Sequence, residues 1–164
     1  MICNFRNFCI VIMLRFGVIV YANTFNVPFH FDDEENIQVE GVKMESLTRE
    51  QVSRVFTHGK HLARPVSNFS FALNYFLGEY RVQGYHLVNI LIHVCAGIFL
   101  FLLVRATLTL PPNKEKFPKA SAIALLTALI WVVHPLATQS VTYIVQRMNS
   151  MAAMFFVLAL LLYV

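Results

Sequence analysis

Charge is what this sequence has least of. Only 13% of its 164 residues are Asp, Glu, Lys or Arg, while 57% are hydrophobic; a soluble domain carries about 25% charged residues. That much apolar surface cannot be covered in water, which tells against both a disordered chain and a simple soluble enzyme. Cysteine is scarce too. Cys3, Cys9 and Cys95 form neither a CxxC pair nor a zinc spacing. Cys95 falls in an apolar run, where it reads as a small buried residue. The net charge is +4 and the pI about 9.1, but no basic patch on a soluble face accompanies them, so nucleic acid is not a partner. No small-x-small cleavage site follows the N-terminal apolar stretch, which reads as an uncleaved helix. There is no internal repeat and no low-complexity segment.

Long apolar runs are what the sequence does have. A membrane-spanning helix needs about 20 such residues. Residues 84–104 meet this with no Asp, Glu, Lys or Arg, and residues 7–27, 120–137 and 148–164 are further candidates. The fold class is therefore an all-α integral membrane protein of about four transmembrane helices. Arg15 interrupts the first span; it snorkels, faces the bundle or shifts the helix. Residues 105–119 hold Arg105, Lys114, Lys116 and Lys119 against Glu115 alone, so this loop reads as cytoplasmic. Arg6 fits a cytoplasmic N-terminus. The segment 28–83, with eight of the nine acids, and the stretch 136–147 then lie outside. Val164 falls inside an apolar run, which makes the chain read as a piece of a longer protein.

The outer segment has its own helices. Thr48-Arg49-Glu50-Gln51 fits a capping box, with Leu47 and Val52 placed as a hydrophobic staple. A second helix starts near Pro65. Its apolar stripe of Phe69, Leu73, Phe76, Leu77 and Tyr80 suits a membrane interface or the side of the bundle.

Three groups of residues carry candidate chemistry. Asp32-Asp33-Glu34-Glu35 places four carboxylates just outside the first span. Such a cluster can supply a general base for an acceptor hydroxyl, bind a divalent cation, or keep a solvated loop out of lipid. His86, Asn89 and His93 share one face of the second span. They either bond between helices or line a site. The stretch from His134 to Arg147 reads as a short amphipathic helix in the second outer loop. Arg147 is the only charged residue after Lys119. Its guanidinium can receive a phosphate or snorkel at the interface. Asn68-Phe69-Ser70 matches the N-glycosylation pattern.

Taken in order, these stretches resemble a family. Tyr21-Ala22-Asn23-Thr24, Pro28 to Glu34, Arg64-Pro65, Asn74-Tyr75, Gly84-Tyr85-His86-Leu87-Val88-Asn89 and His134-Pro135 through Gln146-Arg147 are similar to the N-terminal membrane part of type C (GT-C) glycosyltransferase-like proteins that carry tetratricopeptide repeats. The transmembrane-and-TPR O-mannosyltransferases are among these. The resemblance covers nearly the whole chain and makes it the N-terminal part, 1–164, of a polytopic glycosyltransferase domain. It implies an outward-facing site that moves a sugar from a polyprenyl-phosphate donor to an acceptor hydroxyl on a protein or glycan.

The family's acidic motif carries over to Asp32 and Asp33, with Asp33 the slight preference as base. The resemblance places substrate contacts at Arg64, His86, Asn89, His134, Gln139 and Arg147. Arg64 and Arg147 are the cations for the leaving phosphate. Gln139 stands where relatives often carry an acid after the His-Pro-x-x-Thr run. No metal ligand set is expected, and a divalent cation is the one cofactor the acidic loop admits. The membrane is that of the endoplasmic reticulum or the bacterial inner membrane, with loop 28–83 extracytoplasmic. By itself this piece is expected to be inactive. The competing expectation is a non-catalytic membrane scaffold joined to a TPR partner-binding region. A transporter fits worse, because its site would lie at the midplane.

Overall fold

The computed structural model describes residues 2–58 and 62–164, with side chains from residue 7 onward, so Cys3 and the Arg6 side chain lie outside what it describes. Among the described residues the structure is helical throughout, as the composition requires. Helix α1 (Ile2–Tyr21) leads through a 3-10 turn (Ala22–Thr24) to the short α2 (Asp32–Ile37). Two helices follow in the segment between the first two spans, α3 (Arg49–His58) and α4 (Pro65–Gly78). The 28-residue α5 (Val82–Thr109) is the mast of the molecule. Beyond it come α6 (Pro111–Lys114), α7 (Ala120–Val132), a 3-10 turn at Pro135–Ala137, α8 (Thr138–Thr142), another 3-10 turn at Ile144–Gln146, and α9 (Arg147–Tyr163).

Three segments are long and apolar enough to cross a membrane: Asn7–Thr24, Val82–Thr109 and Ile144–Tyr163. A fourth crossing exists if α7 and Pro135–Thr142 count as one span, bent by 50°. The span expected over 120–137 therefore breaks early. Pro135 has no N–H and pushes the preceding residue out of the helical region. His134 accordingly takes φ −66°, ψ 131°, and its side chain accepts the Leu136 N–H. The amphipathic helix expected over 134–147 is instead two 3-10 turns flanking five residues of α8.

Helices α1, α7 and α9 all pack on α5, and the core runs along it in three layers. The outer layer joins Ile37, Val42, Met44, Val55, Phe71, Tyr85, Ile144 and Met148. A middle layer holds Tyr21, Ile90, Val94 and Val141. The far layer holds Cys9, Met13, Phe101, Ala124 and Ala128. Small residues set the close approaches, as is common between membrane helices. A methyl group at Gly97 would sit 2.5 Å from Val132 Cγ2. One at Gly17 would overlap Val94 more severely.

Several local expectations change in three dimensions. Cys95 is exposed and Cys9 is the buried one, because the inward face of α5 is the one carrying His86, Asn89, His93 and Gly97. Arg15 lies exposed on α1. Thr48 Oγ1 accepts the Gln51 N–H at 3.4 Å, one half of the capping box. Gln51 Oε1, however, reaches past Thr48 to the N–H groups of Glu45 and Ser46, at 2.8 and 3.0 Å. Leu47 is 59% exposed, so no staple forms. Helix α4 buries Ser67, Asn68, Phe71, Ala72 and Asn74 and turns Leu73, Phe76 and Leu77 of the expected apolar stripe outward. Its polar face looks inward because a buried cation waits there.

Candidate functional site

That cation is Arg147, at the first position of α9 and fully buried. Nε donates to Asn89 Oδ1 at 2.7 Å. Nη1 donates to Asn74 Oδ1 at 2.7 Å and to the Ser70 carbonyl and hydroxyl oxygens at 3.2 and 3.3 Å. Nη2 donates to the Tyr85 carbonyl at 2.9 Å. The guanidinium also lies over the Phe71 ring, 4.5 Å from its centroid. Among the described residues it has no carboxylate partner. Neutral oxygens and a ring face replace water around it, as a buried charge requires. Arg147 thus neither snorkels nor faces outward. It pins α4 to α5 and α9.

The polar face of the second span is used the same way. His86 Nε2 donates to the Val27 carbonyl at 2.8 Å. Asn89 Nδ2 donates to the carbonyls of Val141 and Ile144 at 3.2 and 3.3 Å. His93 Nε2 meets the Val132 carbonyl at 3.0 Å, an oxygen that also accepts the Tyr21 hydroxyl at 3.0 Å. The break after α7 leaves that carbonyl without a helical donor, and the two side chains supply one. These are struts between segments.

The acidic motif is held by strain and by backbone donors. Phe31, at φ 51° and ψ −126°, occupies a region that L side chains rarely adopt. Immediately after it the chain turns into α2. The Asp32 N–H donates to the Tyr143 hydroxyl at 3.0 Å. Asp33 is fully buried. Its Oδ1 accepts the Val145 N–H at 2.7 Å and its Oδ2 the His30 N–H at 3.2 Å. Burial pushes the Asp33 carboxyl above the usual aspartate range, against the pull of those two N–H groups and of nearby His30 and His86. Oδ1 ties segment 28–83 to segment 136–147, and Oδ2 braces the turn just before α2. Asp32, one residue earlier, is exposed.

Asp32 opens onto a polar cleft of about 410 Å³, lined by Glu35, Asn36, Arg64, Val145, Gln146, Met148 and Asn149 as well. Arg64 is exposed there, and its Nη1 rests 3.4 Å from Met148 Sδ. Carboxylate and cation, 32 residues apart in sequence, thus share one cleft. A second cavity of about 380 Å³ lies beside the broken span. His93, Trp131, His134, Leu136, Ser140, Asn149 and Ser150 are among its lining residues. Asn149 belongs to both spaces.

Of the residues named from the sequence, the structure brings Asp32, Glu35 and Arg64 to the cleft and His93 and His134 to the second cavity. Asp33, His86, Asn89 and Arg147 are buried and bonded to protein groups. Gln139 is exposed on α8 and lines neither space. Glu35 reaches the cleft as a member of the acidic run. Tyr143, named only within the stretch 134–147, and Asn149 were not singled out individually by sequence reasoning. Among the described residues no three His, Cys, Asp or Glu side chains gather as a metal site.

Fold and site define a class: an all-helical multi-pass membrane protein whose acidic loop motif and a basic side chain meet in a polar cleft. The chain is similar in sequence to proteins named protein O-mannosyl-transferase. It is 29% identical to the human protein named Protein O-mannosyl-transferase TMTC4, over 90% of this chain and 22% of that one. It is 31% identical to the Xenopus laevis protein of the same name with the suffix tmtc2, over 90% of this chain and 17% of that one. For the Drosophila melanogaster protein with the suffix Tmtc1 the identity is 32%, over 88% and 17%. The chain therefore spans about a fifth of the length of these relatives. No family model matches, and no solved structure matches.

Proposed function

We propose that this chain forms the site-bearing N-terminal part of a membrane glycosyltransferase. It moves a hexose, mannose by its relatives' names, from a polyprenyl-phosphate donor to a hydroxyl on a protein acceptor. The observation that carries this reading is the shared cleft of Asp32 and Arg64.

Asp32 takes the proton from the acceptor hydroxyl as its oxygen forms a bond to the sugar's anomeric carbon. The bond from that carbon to the phosphate oxygen breaks, and its electron pair leaves on the polyprenyl phosphate. The Arg64 guanidinium meets the charge gathering there. Asp33 is the positioning residue: by holding Val145 and His30 it fixes one wall of the cleft and the turn before Asp32. The cavity at His134 lies among span residues and adjoins the cleft at Asn149, which suits the lipid-borne donor. Buried Arg147, His86 and Asn89 hold these walls in place. Loop 28–83 faces the extracytoplasmic side of the endoplasmic reticulum or bacterial inner membrane, as the basic loop 105–119 argues.

The test uses the full-length protein. Asp32→Asn should lose about 100- to 10,000-fold in transfer while its melting temperature stays put. Turnover equal to that of the unaltered enzyme would remove Asp32 as the base. A cysteine placed at 34 should react with an impermeant reagent from the outside and one at 115 should not; the opposite pattern overturns the orientation.

A further inference from the structure

Phe31 is costly to place and contributes nothing to the core. Its backbone sits at φ 51°, a conformation glycine adopts without strain, yet its side chain is 83% exposed. Strain of this kind persists only where the surroundings over-determine it. Here Asp32, through Tyr143, and Asp33, through Val145 and His30, impose it. The outcome is an aromatic surface built from two loops. His30 stacks on Tyr143 with centroids 5.0 Å apart and planes at 26°. The Phe31 ring stands edge-on to both, at 5.3 and 6.2 Å. The Tyr143 hydroxyl accepts the Asp32 N–H, which points it toward Asp32 and leaves the ring faces of the trio to the surface.

We propose that Phe31, with His30 and Tyr143, is a subsite for the acceptor polypeptide that takes an apolar side chain flanking the accepting hydroxyl residue. The proposal rests on the transferase reading of the cleft and names what that cleft recognises. The distances fit a peptide. Phe31 is the chain neighbour of Asp32, and successive residues of an extended segment advance about 3.3 Å. A hydroxyl held at Asp32 therefore brings the ring trio within reach of the acceptor's adjoining residues. The cleft beyond is polar, lined by Glu35, Asn36, Gln146 and Asn149 among others. Burying an apolar side chain on exposed rings also removes apolar area that folding left in water.

The experiment uses the full-length protein in lipid nanodiscs and two labelled threonine peptides, one with leucine and one with aspartate beside the threonine. Binding is measured without donor, and transfer with it. The unaltered protein should bind the leucine peptide about tenfold more tightly. Phe31→Gly should bind both alike, with a melting temperature unchanged or higher. It should raise KM for the leucine peptide about tenfold while kcat stays within about twofold. Phe31→Trp should keep the preference. Equal binding of the two peptides by the unaltered protein, or a preference that survives Phe31→Gly, overturns the proposal. So does a Phe31→Gly protein that weakens vesicle association while KM holds, since the ring would then be a lipid contact. A protein that shows the preference and transfers no sugar overturns the transferase reading and leaves the peptide subsite standing.

Discussion

Replacing Asp33 by alanine strips the acceptor from two half-buried donors at once, the N–H groups of Val145 and His30. A fully buried donor left without a partner costs about 1–3 kcal/mol; water reaches these two in part, so the gross loss for the pair falls in the lower half of about 2–6 kcal/mol. One effect opposes it. The carboxyl is raised by burial, so its ionised form is penalised in the fold, and the substitution lifts that penalty. Two N–H groups outweigh one partly compensated charge, and the net loss should be about 2 kcal/mol or more. In thermal unfolding of the detergent-purified protein this corresponds to roughly 4–8 °C, at about 2–4 °C per kcal/mol. Amide exchange at Val145 should accelerate about 30-fold. Asp32→Ala is the control: its exposed side chain should contribute less than about 0.5 kcal/mol. The assignment of Asp33 to positioning fails if Asp32→Ala lowers the melting temperature as much, or if the Val145 amide exchanges at its normal rate in Asp33→Ala. The same residue predicts a pH slope. A carboxyl raised in the fold binds its proton more tightly there than in the unfolded chain. The stability this gives is full below the ordinary aspartate value of 3.8 and is lost as pH rises through the folded value. The unaltered protein should thus lose stability relative to Asp33→Asn between about pH 4 and neutrality; the opposite slope refutes the sign.

Three further outcomes are expected. Arg147→Lys should fail to rescue the fold, because a point-like ammonium cannot reach Asn89, Asn74 and Tyr85 together; unfolding should show a loss of about 3 kcal/mol or more, and a lysine variant of normal stability contradicts the node. Asn68→Gln in a eukaryotic host should leave gel mobility unchanged, since Asn68 is buried within α4; a glycosidase-sensitive shift at this sequon means α4 is not packed as described. Gly97→Leu should force α7 away from α5 at Val132 and cost about 1–3 kcal/mol, read as a lower melting temperature, with Gly97→Ala falling between the unaltered protein and the leucine variant.

Much of this molecule is legible in one dimension because lipid leaves few choices. A run without charge must be helical to satisfy its backbone. The second span, expected over 84–104, accordingly extends over 82–109. The last, expected from 148, starts at Arg147. Pro65 opens α4 as expected. Legibility fails where side chains of distant segments choose each other. Helix α4 has an apolar stripe by its own periodicity, yet it turns Ser70 and Asn74 inward toward Arg147, and no local pattern announces a cation 73 residues away. Cys95 reads as buried by its neighbours in sequence, but facing on α5 is decided by the polar strut residues and Gly97.

The acidic motif shows the division most clearly. Composition and order by themselves determined a helical membrane protein with carboxylates gathered in one loop, because hydropathy and charge act residue by residue. They could not separate Asp32 from Asp33, two identical side chains one step apart. Only the tertiary structure did so: Val145, 112 residues away, and His30 bring their N–H groups to Asp33, while Asp32 faces Arg64 across open space. Successive residues of a helix point about 100° apart, so Asp33 is sealed in by one partner three residues away and one from a distant segment, while Asp32 stays at the surface.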